Sequence, residues 1–146
     1  MSPLIETSIV ACSLSTGLQT ITNTNLGGAT PKAVKIELIQ VAAEDTKTAH
    51  ASLLVGICDG TNVFSISGNS EDAVATTDAV MNCMGGPVGS YPIMRISRIP
   101  GVVGQEGNAN FDSFVADGCK INWTDTPSSA YLMRVTFFSG DDFLNA

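Results

Sequence analysis

Apolar and polar residues alternate with a period of two along much of this chain, and that pattern constrains the fold more than any other feature. Residues 31–41 read PKAVKIELIQV, with Val34, Ile36 and Leu38 on one face and Lys35, Glu37 and Ile39 on the other. This is the pattern of a half-buried strand. Residues 51–58 are a nearly continuous apolar run closed by Asp59-Gly60, and residues 62–67 (NVFSIS) follow at once, which predicts a hairpin. Residues 93–99 alternate Met94 and Ile96 with Arg95 and Ser97. Residues 111–115 end at the turn Asp117-Gly118. Beyond it, residues 119–124 set Cys119, Ile121 and Trp123 against Lys120, Asn122 and Thr124. Residues 130–139 place Tyr131, Met133, Val135 and Phe137 on one side, and two weaker strands at 5–14 and 18–22 flank Gly17.

About eight short strands joined by Gly, Pro and Asn turns predict an all-β fold, an antiparallel β-sandwich of jelly-roll-like form. Helical signals are sparse: 44–51 and 70–83 each have room for a turn or two, without a sustained 3.6 period. The least strand-like stretch is 68–92, which contains Gly85-Gly86-Pro87 and Gly89. It reads as a long excursion, and excursions of that length are usually functional or interface-forming.

The 146 residues are a one-domain length, so 1–146 is expected as a single sandwich domain with 1–14 as a possible N-terminal arm. Charged residues are only 14% of the chain and the net charge is −7. The seven basic residues are scattered, so no Lys/Arg stripe is present for a phosphate backbone and a nucleic-acid partner is not expected. No run approaches the roughly 18 apolar residues of a membrane span, and the N-terminus shows no basic and apolar pattern of a secretory signal. A surface this poor in charge suits a protein that hides part of itself against copies or neighbours, and equally a β surface that is simply rich in Ser and Thr.

Residues with catalytic chemistry are few. His50 is the only histidine, so a Ser-His-Asp or Cys-His arrangement would have to use it; a structural histidine at a strand start is the ordinary reading. The acid pairs Glu44-Asp45, Glu71-Asp72 and Asp141-Asp142 read as solvated turn acids, and the calcium loop pattern is absent. Asp112 and Asp117 are the acids that separate loops would offer a calcium ion, with nothing further pointing to one. Residues 101–107, spaced GVVGQEG, lack the lysine of a phosphate loop and read as a strand connection. Cys12, Cys58, Cys83 and Cys119 form no CxxC pair, so metal binding is not expected and buried, reduced thiols are. No catalytic residue, metal ligand or cofactor is assigned.

The second half resembles a domain that recurs in tailed-bacteriophage virion proteins, including tail-fibre and surface modules. The resemblance rests on residues 111–118 (FDSFVADG), then Ile121-Asn122-Trp123-Thr124, then the aliphatic strand 131–139 ending in Gly140-Asp141-Asp142-Phe143. Upstream, Thr30-Pro31-Lys32-Ala33-Val34, Asp59-Gly60 and residues 70–76 (SEDAVAT) add to it, so that it covers about 30–145. The chain departs from the family pattern at Ser139, where a glycine is usual, and at Cys119, where an aromatic is usual. The resemblance implies a virion protein assembled in a host cytoplasm, partnered by copies of itself and by other virion proteins, with no catalytic residues to carry over.

The expected function is therefore that of a non-enzymatic structural protein forming a homo-oligomeric surface module, as fibre, knob or head decoration. Its expected contacts are Met81, Cys83 and Met84 in the excursion and Phe143 and Leu144 near the C-terminus. The alternative is a receptor-recognition module that binds a host glycan, with Tyr91 as the aromatic platform between Ser90 and Pro92, and Trp123 as the weaker choice.

Overall fold

The computed structural model describes residues 4–44, 51–70, 79–97 and 105–140. Among them the chain forms β1 (Leu4–Ala11), β2 (Gly17–Thr22), a 3-10 turn (Thr24–Leu26), β3 (Ala33–Leu38), β4 (Ala51–Cys58) and β5 (Asn62–Ser70). Then come β6 (Ala79–Pro87), β7 (Met94–Ser97), β8 (Gln105–Val115), β9 (Gly118–Asp125) and β10 (Leu132–Ser139). The strands make two antiparallel sheets, one ordered β1-β10-β3-β4-β5-β6 and the other β2-β9-β8-β7. The architecture is an all-β sandwich, as the alternation predicts. β3 to β6 stay in one sheet as a meander, β7 to β9 stay in the other, and the chain changes sheets on either side of β2, between β6 and β7, and between β9 and β10.

Each alternating segment sends one face to a shared core. Val34, Ile36 and Leu38 of β3, Met133, Val135 and Phe137 of β10, and Leu54 and Cys58 of β4 meet Met94, Ile96, Phe111, Ile121 and Trp123 from the second sheet. Trp123 is 1% exposed, and its indole N–H donates to Gln19 Oε1 at 2.8 Å, so its polar end is satisfied inside the packing. Two glycines allow the closest approaches. A Cβ on Gly56 would fall on the carbonyl oxygen of Ile93, and one on Gly118 would fall on that of Ile21.

The expected hairpin at residues 51–67 is β4–β5. Its turn is fixed by Asp59, whose Oδ1 accepts from the N–H groups of Thr61 at 2.8 Å and Asn62 at 2.7 Å. The β8–β9 turn places Asp117 at φ 62°, a left-handed conformation that a short polar side chain tolerates. Asp117 Oδ1 accepts from Gly28 N–H at 2.6 Å, tying the turn to the chain between β2 and β3.

The weak strand expected at 5–14, within the stretch also considered as a possible N-terminal arm, is β1, paired to β10 from Leu4 with Ser139 to Ala11 with Leu132. One expectation changes. The excursion at 68–92 contains a strand: β6 pairs with β5 over all nine of its residues, Asn62 with Pro87 through Ser70 with Ala79. Local propensity for strand is low in AVMNCMGGP. The free edge of β5 supplies a ladder that overrides it, as tertiary context commonly does for strands.

Candidate assembly surface

Strand alternation puts every second residue of β4, β5 and β6 on the outside of the six-stranded sheet. The register sets Leu53 opposite Gly68, Val55 opposite Ile66 and Ile57 opposite Phe64, and then Gly68 opposite Met81, Ile66 opposite Cys83 and Phe64 opposite Gly85. Leu53, Ile57, Phe64, Ile66 and Met81 are all exposed, Met81 by 81%. β4, β5 and β6 contain no charged residue at all. Five large side chains this exposed leave on the order of 500 Å² of contiguous apolar surface, at the upper end of what monomeric proteins show.

Next to this patch the same face carries its charges. Glu37 of β3 accepts from Arg134 Nε of β10 at 2.8 Å, lies 2.6 Å from Arg134 Nη2, and lies 3.2 Å from Lys35 Nζ. Desolvation, the largest single influence, works to raise the Glu37 carboxyl. The hydrogen bonds and charges of Arg134 and Lys35 outweigh it and hold the group below the ordinary carboxylate range. A groove of about 560 Å³ opens beside this cluster, lined by the exposed aliphatics Ile9, Ile39 and Leu53 together with Glu37, Glu44 and Arg134. Among the described residues it offers apolar walls and an ion pair.

The structure separates the residues expected to make contacts. Met81 and Cys83 lie on the exposed outer face of β6. Met84 falls on the other face, opposite the buried Ser65, and its Sδ takes the contact of Arg95 Nη1 at 3.9 Å. It is an inward residue, because odd and even positions of a strand point to opposite sides. Phe143 and Leu144 lie outside the described residues, as do His50 and most of the acid pairs. Tyr91 is 40% exposed, with its ring lying over Gly86. Trp123 is a core side chain and offers no face to a sugar, which corrects its place as a platform.

Leu53, Ile57, Phe64 and Ile66 were not singled out from the sequence. The signal lay in the continuous apolar run at 51–58: in a two-layer sandwich a strand has one core face, so an apolar second face must meet solvent or a partner.

Other polar groups among the described residues tie strands and turns together. Glu106 receives hydrogen bonds from Tyr131 Oη at 2.7 Å and Gln40 Nε2 at 3.0 Å, and from the hydroxyl of Ser128. It thereby fastens β8 to the chain on either side. Asp112 accepts from Ser113 Oγ at 2.8 Å, and Asp117 is held as described. Among the described residues no three His, Cys, Asp or Glu side chains gather as a metal site.

Cys12, Cys58 and Cys119 are buried and free. Burial pushes the Cys12 thiol up to about 12 against a small opposing backbone hydrogen bond. Cys119 rises to about 12 through burial and then the neighbouring Cys58. Cys58 itself rises to about 11, through burial first, partly offset by the Gly60 N–H. All three are protonated and unreactive at neutral pH. Among the described residues no helix is long and apolar enough to cross a membrane. Comparison with family models, with curated proteins and with solved structures finds no match.

Proposed function

We propose that the protein is a non-enzymatic structural module that works by self-association, burying the outer face of β4–β6 against neighbouring subunits. The observation that carries this reading is the contiguous patch of Leu53, Ile57, Phe64, Ile66 and Met81 on three strands without a charge. Burying such a patch against a complementary surface removes apolar area from water at about 25 cal/mol per Å², and its lack of charge means little desolvation cost. A specific contact buries roughly 800 Å² per partner, so the patch with its rim is of the right size. The sequence resemblance directs the proposal to a tailed-phage virion, as fibre, knob or head decoration assembled in the host cytoplasm. Other virion proteins would then be the remaining partners.

Sedimentation velocity across a concentration series, together with imaging of particles labelled through this protein, tests the reading. A concentration-dependent oligomer and a regular position on the particle are expected. A monomer at the highest concentration with no particle association would overturn it. The glycan reading retains Tyr91, half-exposed beside Gly86. Tyr91→Ala abolishing adsorption while leaving the oligomer intact would move the proposal to that reading.

A further inference from the structure

The four sheet edges of the sandwich are not alike. β1 is guarded: Asn23 Nδ2 donates to the Thr7 carbonyl at 3.1 Å, Gln19 Nε2 donates to the Ala11 carbonyl at 2.7 Å, and Glu6 places a carboxylate on the strand's inner side. β2 is six residues long, and β7 is four residues with a register shift at Ile96/Ser97 and a cation at Arg95. Short strands, bulges and inward charges are the usual ways to keep an edge from pairing. β6 has none of these three and carries a proline, Pro87, only at its last position. It is nine residues long and uncharged, and it runs in unbroken register with β5. Among the described residues no strand pairs with its other side.

We propose that β6 is a homotypic edge: two copies of the chain pair their β6 strands antiparallel across a two-fold axis, joining their six-stranded sheets into one. The inference rests on the self-association reading and adds to the face contact a second one, edge to edge. The strand is complementary to itself. Cys83 is the middle residue of Ala79–Pro87, so full overlap sets Cys83 opposite the partner subunit's Cys83 and Met81 opposite the partner subunit's Gly85. The large residue meets the small one. The ring of Phe64 already leans over Gly85, where a Cβ would come within 3.2 Å of its Cδ2. An incoming methionine therefore lands against an aromatic ring, a favourable sulfur contact. No like charges are brought together, because the strand has none. The two apolar outer faces become continuous about the axis, doubling the surface that the assembled protein presents to its next neighbour.

Directly opposed residues of an antiparallel pair have Cα atoms about 4.5–5.5 Å apart, inside the disulfide range of about 4.4–6.8 Å. Cys83 is the exposed thiol of the four, so it reports the register without engineering. The native protein is treated with diamide, which takes up the two hydrogens of the thiol pair as the S–S bond forms. The products are read by intact mass and non-reducing electrophoresis, beside sedimentation of the untreated protein. A covalent dimer two hydrogens lighter than twice the monomer is expected, lost in Cys83→Ser. The double variant M81C with C83S puts its thiols about 14 Å apart and is expected to stay uncrosslinked. Met81→Lys, which charges the edge, is expected to weaken self-association at least tenfold. An oligomer that forms no Cys83 dimer, or that crosslinks as well through residue 81, overturns the edge pairing and leaves the self-association reading standing. A protein monomeric at every concentration overturns both.

Discussion

The outer faces of the two sheets are made by the same alternation and differ in what it presents. On the four-stranded sheet the outward positions include Thr20 on β2, Lys120 and Asn122 on β9, and Asn110 and Asn108 on β8, with Leu18 the exposed aliphatic among them. On the β4–β6 half of the six-stranded sheet they are Leu53, Ile57, Phe64, Ile66 and Met81. The core is shared by both sheets, although β5 turns Ser65 and Ser67 inward while its Phe64 and Ile66 face out, so filling the core does not call for the apolar outer face. A sandwich needs only one apolar face per sheet, and the second one on β4–β6 is surplus to the core. Contiguous apolar surface on charge-free strands is what the proposed assembly contact would use, and the polar sheet shows the same fold without such a surface.

The largest expected effect tests the part that the two sheets share. Gly56→Val drives a side chain into the carbonyl of Ile93, where the meander approaches the chain leading into β7. Gly118→Val does the same against Ile21 at the β8–β9 turn. Each is expected to cost about 3 kcal/mol or more of stability, as overpacking against a backbone atom does. Urea melts followed by tryptophan fluorescence and by circular dichroism should shift together, because Trp123 and the meander belong to one core. Separate transitions would break the premise that the two faces can be compared on one cooperative scaffold.

The next effect tests the faces themselves. Phe64→Lys is expected to weaken self-association about 100-fold, equivalent to about 2.7 kcal/mol, since it places a charge in the centre of the patch. Asn122→Lys, on the polar face, is expected to leave the dissociation constant within about twofold, because substitutions outside a contact's centre are near neutral. Sedimentation of the two variants side by side decides it. Equal effects would show that the contact does not discriminate between the faces.

A smaller effect sharpens the boundary of the patch. Arg134 and Glu37 are an exposed ion pair, so Arg134→Ala is expected to cost no more than about 1 kcal/mol. The Glu37 carboxyl is held below its unfolded value, so the pair's contribution is present above the ordinary carboxylate pKa and is lost as pH falls through the depressed one. The melting temperatures of the wild type and the variant should therefore converge as pH is lowered from about 7 to about 3. A gap that persists in acid would mean that Arg134 contributes through its stem packing rather than its charge.

How much of this was legible in the sequence depended on which side of a strand carried the signal. Val34/Ile36/Leu38 and Cys119/Ile121/Trp123 announced their strands and their inward faces, because a half-buried strand writes its burial into the residues. The β4–β5 hairpin was legible through Asp59-Gly60. β6 was not: Gly85, Gly86 and two polar or thiol residues between methionines give no alternation, and the strand exists because β5 offers an edge. Met84 was grouped with Met81 by composition, although three positions along a strand reverse the face. The patch was half legible, since the unbroken apolar run at 51–58 required a second covered face without saying where its partner side chains lay. Phe64 and Ile66 join it only through the register.

The smallest expected effect is none, and it concerns the thiols on either side of the patch. Cys58 and Cys119 belong to the shared core, Cys12 is buried close to β10, and Cys83 stands on the outer face. All four are free. Added reductant is therefore expected to change neither the melting temperature nor the oligomer of freshly purified protein, and the intact mass should not rise by four hydrogens. Alkylation of the native protein should modify Cys83 alone, the other three reacting only after unfolding, since their protonated thiols are shielded. The sign at high pH is fixed by the same burial. The folded thiols titrate near 11 to 12 and unfolded ones near 9, so the stabilisation they contribute is whole below about pH 9 and is lost as pH rises toward 12. A mass gain of four hydrogens with a lower melting temperature on reduction would show two disulfides. It would overturn the distinction between three core thiols and one at the surface, and with it the use of Cys83 as the reporter of the β6 edge.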